Sequence, residues 1–113
     1  MAGIYNIVAD QGSTFNFNFT IKIDDIAWDL GDYSARMQVR ADYNTTNKFL
    51  DLSTANGDIS VNSLGQVSVT VSATRMAAIA AGRWVYDIEL VSAGGEVTRV
   101  LEGRFVVSAE VTQ

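Results

Sequence analysis

The chain has 113 residues, 48% of them hydrophobic and 19% charged, with 13 acidic against 8 basic side chains and a net charge of −5. That is one globular domain over 1–113, able to bury roughly 65% of the surface its unfolded form exposes. The acidic balance and the scatter of the basic residues work against binding a phosphate backbone, so nucleic acid is not an expected partner.

Cysteine, histidine and proline are absent. Disulfides, thiolate nucleophiles and cysteine-type zinc sites are thereby removed, and so are the usual proton shuttle near neutral pH and the commonest transition-metal ligand. The N-terminus lacks a basic region followed by an apolar run, so no signal peptide is expected. No stretch of about 20 apolar residues is present, so no membrane span is expected either.

Ile4 to Val8 reads as a short first strand, ended by the turn-like run Asp10-Gln11-Gly12-Ser13. Then, from about Thr14 to Ile23, apolar and polar residues alternate without a break. Period two puts Phe15, Phe17, Phe19, Ile21 and Ile23 on one face and Asn16, Asn18, Thr20 and Lys22 on the other, as in a half-buried strand of an antiparallel sheet. Asp24-Asp25 makes a turn, and Gly31-Asp32 a second one after Trp28 and Leu30. Tyr33 to Arg40 alternates again, with Tyr33, Ala35, Met37 and Val39 on one side. Residues 41–48 form a polar loop around Asn44. Brief strands are expected at Phe49–Leu52 and Ile59–Val61, and a longer one at Gln66–Val71.

Residues 73–81 break the β pattern. Ser72 or Thr74 can cap a short helix there, with Met76, Ile79 and Ala80 on one face and Gly82 as its left-handed end. Arg83 to Val91 alternates Trp84, Tyr86, Ile88 and Leu90 against polar residues. A hairpin turn at Ala93-Gly94-Gly95 leads to the last strand, Glu96–Val107. Two registers are open. A two-residue loop sets Tyr86 opposite Leu101 and Leu90 opposite Val97, which suits the core and is preferred. A three-residue loop with Gly95 as a bulge sets Glu89 opposite Arg99, which suits charge pairing. Seven or eight strands and one helix of about 73–81 indicate an all-β antiparallel sandwich.

Chemistry-bearing clusters are few. Asp24, Asp25, Asp29 and Asp32 are the dense acidic group, but their spacing does not fit a calcium loop and turn positions account for them. Asp87, Glu89, Glu96 and Glu102 lie near Arg83, Arg99 and Arg104, so cross-strand ion pairs explain them more simply than glycoside hydrolysis. The serines have no histidine to activate them, and no Gly-x-Ser-x-Gly elbow or phosphate loop occurs. Trp28, Trp84 and the phenylalanines serve the core or, for Trp28, a ligand face. No catalytic, cofactor-binding or metal-binding residue is assigned, and no cofactor is expected. Asn18 and Asn44 match the glycosylation pattern by chance.

Three stretches together carry a resemblance: Gln11-Gly12-Ser13-Thr14-Phe15; Trp28-Asp29-Leu30-Gly31-Asp32-Tyr33 running on to Arg40; and Trp84-Val85-Tyr86-Asp87-Ile88-Glu89-Leu90 with the 95–103 strand and the Val107–Thr112 ending. The chain resembles the small immunoglobulin-like β-sandwich virion proteins of tailed bacteriophages, and is similar in layout to the N-terminal domain of lactococcal phage upper baseplate proteins. Ala109 stands where family members often carry proline. The resemblance implies a non-catalytic virion component, assembled in the bacterial host cytoplasm, that docks on other tail or baseplate subunits as an assembly or adaptor part. A capsid decoration protein on the phage head is the alternative within that class, and a carbohydrate-binding module using Trp28 and Tyr43 is the alternative outside it. The lactococcal relatives continue into further regions, which favours an assembly over an adhesive role for a chain ending at Gln113. Its partners would be other virion proteins in a symmetric multi-copy assembly, with no membrane involved. Edge-strand logic places the contacts at Gly3–Val8, the 41–48 loop and Ser108–Gln113, with Ile4, Tyr5, Ile7, Tyr43, Asn44 and Val111 as expected interface residues.

Overall fold

A computed structural model describes residues 3–41 and 48–109. Among these, eleven strands and one helix follow in the order β1 Gly3–Ile4, β2 Ile7–Asp10, β3 Phe15–Thr20, β4 Lys22–Ile23, β5 Ile26–Ala27, β6 Ser34–Arg40, β7 Lys48–Ser53, β8 Ile59–Val61, β9 Gln66–Val71, α1 Ala73–Ala77, β10 Gly82–Val91 and β11 Val97–Ser108. The larger sheet runs β1-β11-β10-β6-β7, with β2 also on β11, and the smaller runs β3-β9-β8. Side chains from both inner faces fill one apolar core, which makes the molecule an all-β sandwich. From the large sheet come Met37, Leu52, Ile88 and Phe105; from the small one come Val67, Val69 and Val71. Phe15 and Phe105 join the layers edge to face at 5.4 Å.

The count exceeds the expected seven or eight for two reasons. Tyr5-Asn6 interrupts the first strand. Ile21 separates β3 from a small β4–β5 hairpin with Ile23 opposite Ile26. The hairpin turn is Asp24-Asp25, with φ of 51° and 65°. Two positive φ values in a two-residue loop define a type I′ turn, where Asp is tolerated and Gly is preferred at the second position. Asp25→Gly should therefore stabilise the protein by about 0.5–1 kcal/mol, read as a higher urea midpoint.

The ladders are antiparallel except at the N-terminus. β1 pairs in parallel with β11 (Gly3 with Leu101), and so does β2 (Ile7 with Phe105). Period-two patterning states which face a strand buries, not the direction of its neighbour.

The preferred hairpin register is overturned. Gly95, at φ 91°, closes a three-residue turn in which its N–H donates to the Ser92 carbonyl at 2.9 Å. Glu89 then faces Arg99 and Leu90 faces Thr98. The register shifts between Ile88 and Glu89, with Val100 as the extra residue, so that beyond it Ile88 faces Leu101 and Tyr86 faces Gly103. One bulge thus reconciles charge pairing near the turn with apolar pairing further along.

The helix is shorter than the expected 73–81. Ser72 caps it by accepting from the Arg75 N–H at 3.3 Å, and Ala78 ends it. Met76 and Ile79 are buried, whereas Ala80 is exposed. Gly82 is no helix cap; at φ 147° it opens β10. One turn and a half of helix has no stability alone. It is held by those two apolar anchors and by Gln11, whose side-chain amide donates to the Ile79 carbonyl at 2.8 Å.

Candidate interaction surfaces

The expected interface residues separate into three groups. Ile4, Tyr5 and the neighbouring Val8 are exposed, at 79%, 54% and 70%. Ile7 is corrected: at 4% exposure it points into the core beside Ala9 and presents nothing to a neighbour. The alternation places Ile7 and Ala9 inward while Ile4, Val8 and Asp10 face out. Tyr43, Asn44 and Val111 lie outside the described residues, as does most of the 41–48 loop.

The first strand is bound along one side. The Tyr5 N–H donates to the Glu102 carbonyl at 2.9 Å, and the Gln11 N–H to that of Ser108 at 2.9 Å. The Asn6 side chain accepts from the Arg104 N–H at 3.1 Å, bridging the break between β1 and β2. Because Gln11 points its N–H at β11, the backbone groups of Val8, three residues earlier, point to the open side. This edge has no charged side chain from Gly3 to Ala9. The other edges differ. β3 shows Asn16 and Asn18 to solvent, β7 carries Asp51, and β8 is three residues long. Polar, charged or short strands blunt an edge; the N-terminal edge is also built of short strands, of two and four residues, but it carries no charge before Asp10.

Next to this edge the two sheets part. Tyr5 stacks on Phe17 at 5.6 Å, and Phe17 lies against Phe19 at 5.5 Å. Beyond them a cleft of about 700 Å³ opens between β3 and the turn end of β11. Phe19, Ile21 and Trp28 form one side and Val100 and Leu101 the other, all half-buried. Trp28 meets Tyr33 edge to face at 5.4 Å. Lys22 and Arg99 are the charged residues of the lining, which includes no carboxylate. Phe17 and Phe19 therefore do face inward, as their spacing requires, but toward a seam that the protein leaves partly open.

The outer face of the large sheet is polar. Arg36 bonds Glu89 at 2.7 Å, and Arg99 lies 3.4 Å from Asp87 and 3.6 Å from Glu102. Of the carboxylates weighed for hydrolysis, Asp87 and Glu89 are thus engaged in cross-strand ion pairs and Glu102 in one along β11. Asp87 sits directly opposite Glu102 on the central strands. Burial raises its pKa above the ordinary 3.8, the Glu89 charge adds to this, and Arg99 opposes it. A carboxyl group with a raised folded pKa binds its proton more tightly when folded, so its contribution to stability is greatest at low pH and is lost as pH rises. Asp87→Asn should then gain stability over the parent at pH 7, with the gain shrinking to nothing below pH about 3.8, in thermal melts at both pH values.

Three of the four aspartates at 24–32 shape turns. Asp24 and Asp25 make the type I′ turn, and Asp29 accepts from the Gly31 N–H at 2.9 Å. Among the described residues, no three acidic side chains converge as metal ligands. No helix among the described residues is long and apolar enough to cross a membrane. Sequence patterning misses the seam, because the partners of Phe19 and Trp28 come from a strand about 80 residues away. A scan against protein-family models finds no match for this chain, and a search of curated proteins finds none either.

Proposed function

We propose that this chain is a non-catalytic structural protein of a bacteriophage virion, docking on other tail or baseplate subunits as an assembly or adaptor component. The observation that carries the reading is the N-terminal edge: an uncharged run from Gly3 to Ala9 with Ile4, Tyr5 and Val8 exposed beside open backbone groups. Exposed aliphatic side chains on a sheet edge favour pairing with another chain. In a symmetric particle such a contact recurs in every copy, so that a weak interface adds up to firm attachment. The resemblance to immunoglobulin-like virion proteins supplies the phage context. The strand order supports it: β11-β10-β6-β7 against β3-β9-β8 resembles an immunoglobulin-type sandwich with one added strand on the larger sheet.

The test is location. An antibody against the purified chain, applied to particles produced from the genome that encodes it, should label the tail tip in negative stain, and the chain should co-sediment with those particles. Labelling of the head surface would select the decoration-protein alternative. A chain absent from purified particles would refute both. The carbohydrate-binding alternative predicts a glycan-array signal that Trp28→Ala abolishes.

A further inference from the structure

β11 is incompletely covered on the side away from β10. β1 begins at Leu101 and β2 lies along Phe105–Ser108, but among the described residues nothing pairs with Val97–Arg99 on that side. The hairpin register shows which backbone groups this leaves open. The Ser92 N–H donates to the Glu96 carbonyl, making these a bonded pair at the mouth of the turn. Antiparallel pairs alternate, so Leu90 and Thr98 are bonded next, while Val97 and Arg99 are non-bonded positions whose N–H and C=O turn outward. The 700 Å³ cleft lies against this bare stretch of β11. An apolar seam and an unpaired ladder thus coincide at one place.

We infer that the cleft is a socket for one extended segment of a neighbouring protein, apolar at alternate positions and carrying a carboxylate. The segment adds a strand beside Val97–Arg99. Its backbone bonds the open groups of Val97 and Arg99, and its apolar side chains enter between Phe19, Trp28 and Leu101. The sign of its charge follows from the lining: the chain carries 13 acidic and 8 basic residues, yet the cleft has Lys22 and Arg99 and no carboxylate. Arg99 is held by Asp87 and Glu102, which leaves the exposed Lys22 ammonium as the cation that meets the incoming carboxylate. The socket stands on its own geometry and does not require that the neighbour be a virion protein.

The experiment uses fluorescein-labelled hexapeptides of alternating pattern: Glu-Val-Thr-Val-Glu-Val, the same peptide with Lys for Glu, and an N-methylated acidic version. Fluorescence anisotropy on the intact chain measures affinity, and amide exchange locates the binding. The acidic peptide should bind at least about tenfold tighter than the other two and protect the Val97 and Arg99 amides. Lys22→Glu should reverse the charge preference. Val97→Pro removes one open N–H without touching the hairpin bonds and should weaken binding about tenfold with an unchanged melting temperature. Equal affinity for the acidic and basic peptides would overturn the inference, as would binding indifferent to N-methylation, or none at about 1 mM. Dimerisation of the free chain that Val97→Pro abolishes would also overturn it, by making a second copy the occupant. Peptide binding and particle labelling are separate readouts, so either proposal can fail without the other.

Discussion

Gly103→Ala should lower stability by about 2–4 kcal/mol and release the N-terminal strand from the sheet. Gly103 has φ 158°, and a Cβ added there would lie 2.3 Å from the Tyr5 carbonyl oxygen and 2.9 Å from its carbon. Both atoms are backbone, so no side chain can swing away. The same oxygen accepts the Tyr86 hydroxyl at 2.6 Å. Tyr86 is 1% exposed, and its ring faces Gly103 across the hairpin. Relieving the clash means moving Tyr5, which disrupts its bond from the Tyr86 hydroxyl and its own bond to Glu102. Urea unfolding gives the global loss, and amide exchange at Ile7–Asp10 gives the local one. A loss within about 0.5 kcal/mol, with Ile7–Asp10 as protected as in the parent, would contradict this account of how the first strand is anchored.

Phe105→Ala should cost about 3–5 kcal/mol, the largest loss expected from a single substitution in this chain. Phe105 is fully buried, packs edge to face on Phe15 of the opposite sheet at 5.4 Å and lies 6.4 Å from the Tyr86 ring. Truncation leaves a cavity at the joint between the layers, where rigid ladders on both sides oppose collapse. Total stability for a domain of this size is about 5–15 kcal/mol, so the loss removes from about a fifth to all of it. Phe105→Leu keeps most of the volume and should cost about 1–2 kcal/mol. Equal midpoints for the two variants in urea would show that the joint is softer than its packing implies.

The amino-acid sequence discloses the local grammar of this fold. The alternation from Phe15, the paired aspartates as a turn, Ser72 as a cap and the strand at Tyr33–Arg40 all depend on neighbours along the chain. What stays hidden depends on distant partners. The hairpin register turns on Val100, a residue whose bulge has no signature in the alternating pattern. The parallel docking of β1 and β2 turns on Gly103, whose missing side chain makes room for a strand 98 residues earlier. Ile7 reads as a contact residue only while Ile4–Val8 is treated as a single patch. β1 and β2 keep one register on β11, so period two puts Ile4 and Val8 on one face and Ile7 and Ala9 on the other. The cleft is invisible to patterning for the same reason as the register: its two sides come from opposite ends of the chain.

Pairing the earliest strand with the latest has a cost in time. During synthesis the segment that becomes β2 leaves the ribosome long before β11 exists, and at about 5–20 residues per second the wait lasts roughly 5–20 s. Throughout it Ile7 and Ala9 have no permanent partner, so the nascent chain carries a sticky segment until β11 emerges. Closure of this seam is then the event of longest sequence separation, and loop entropy makes such events slow.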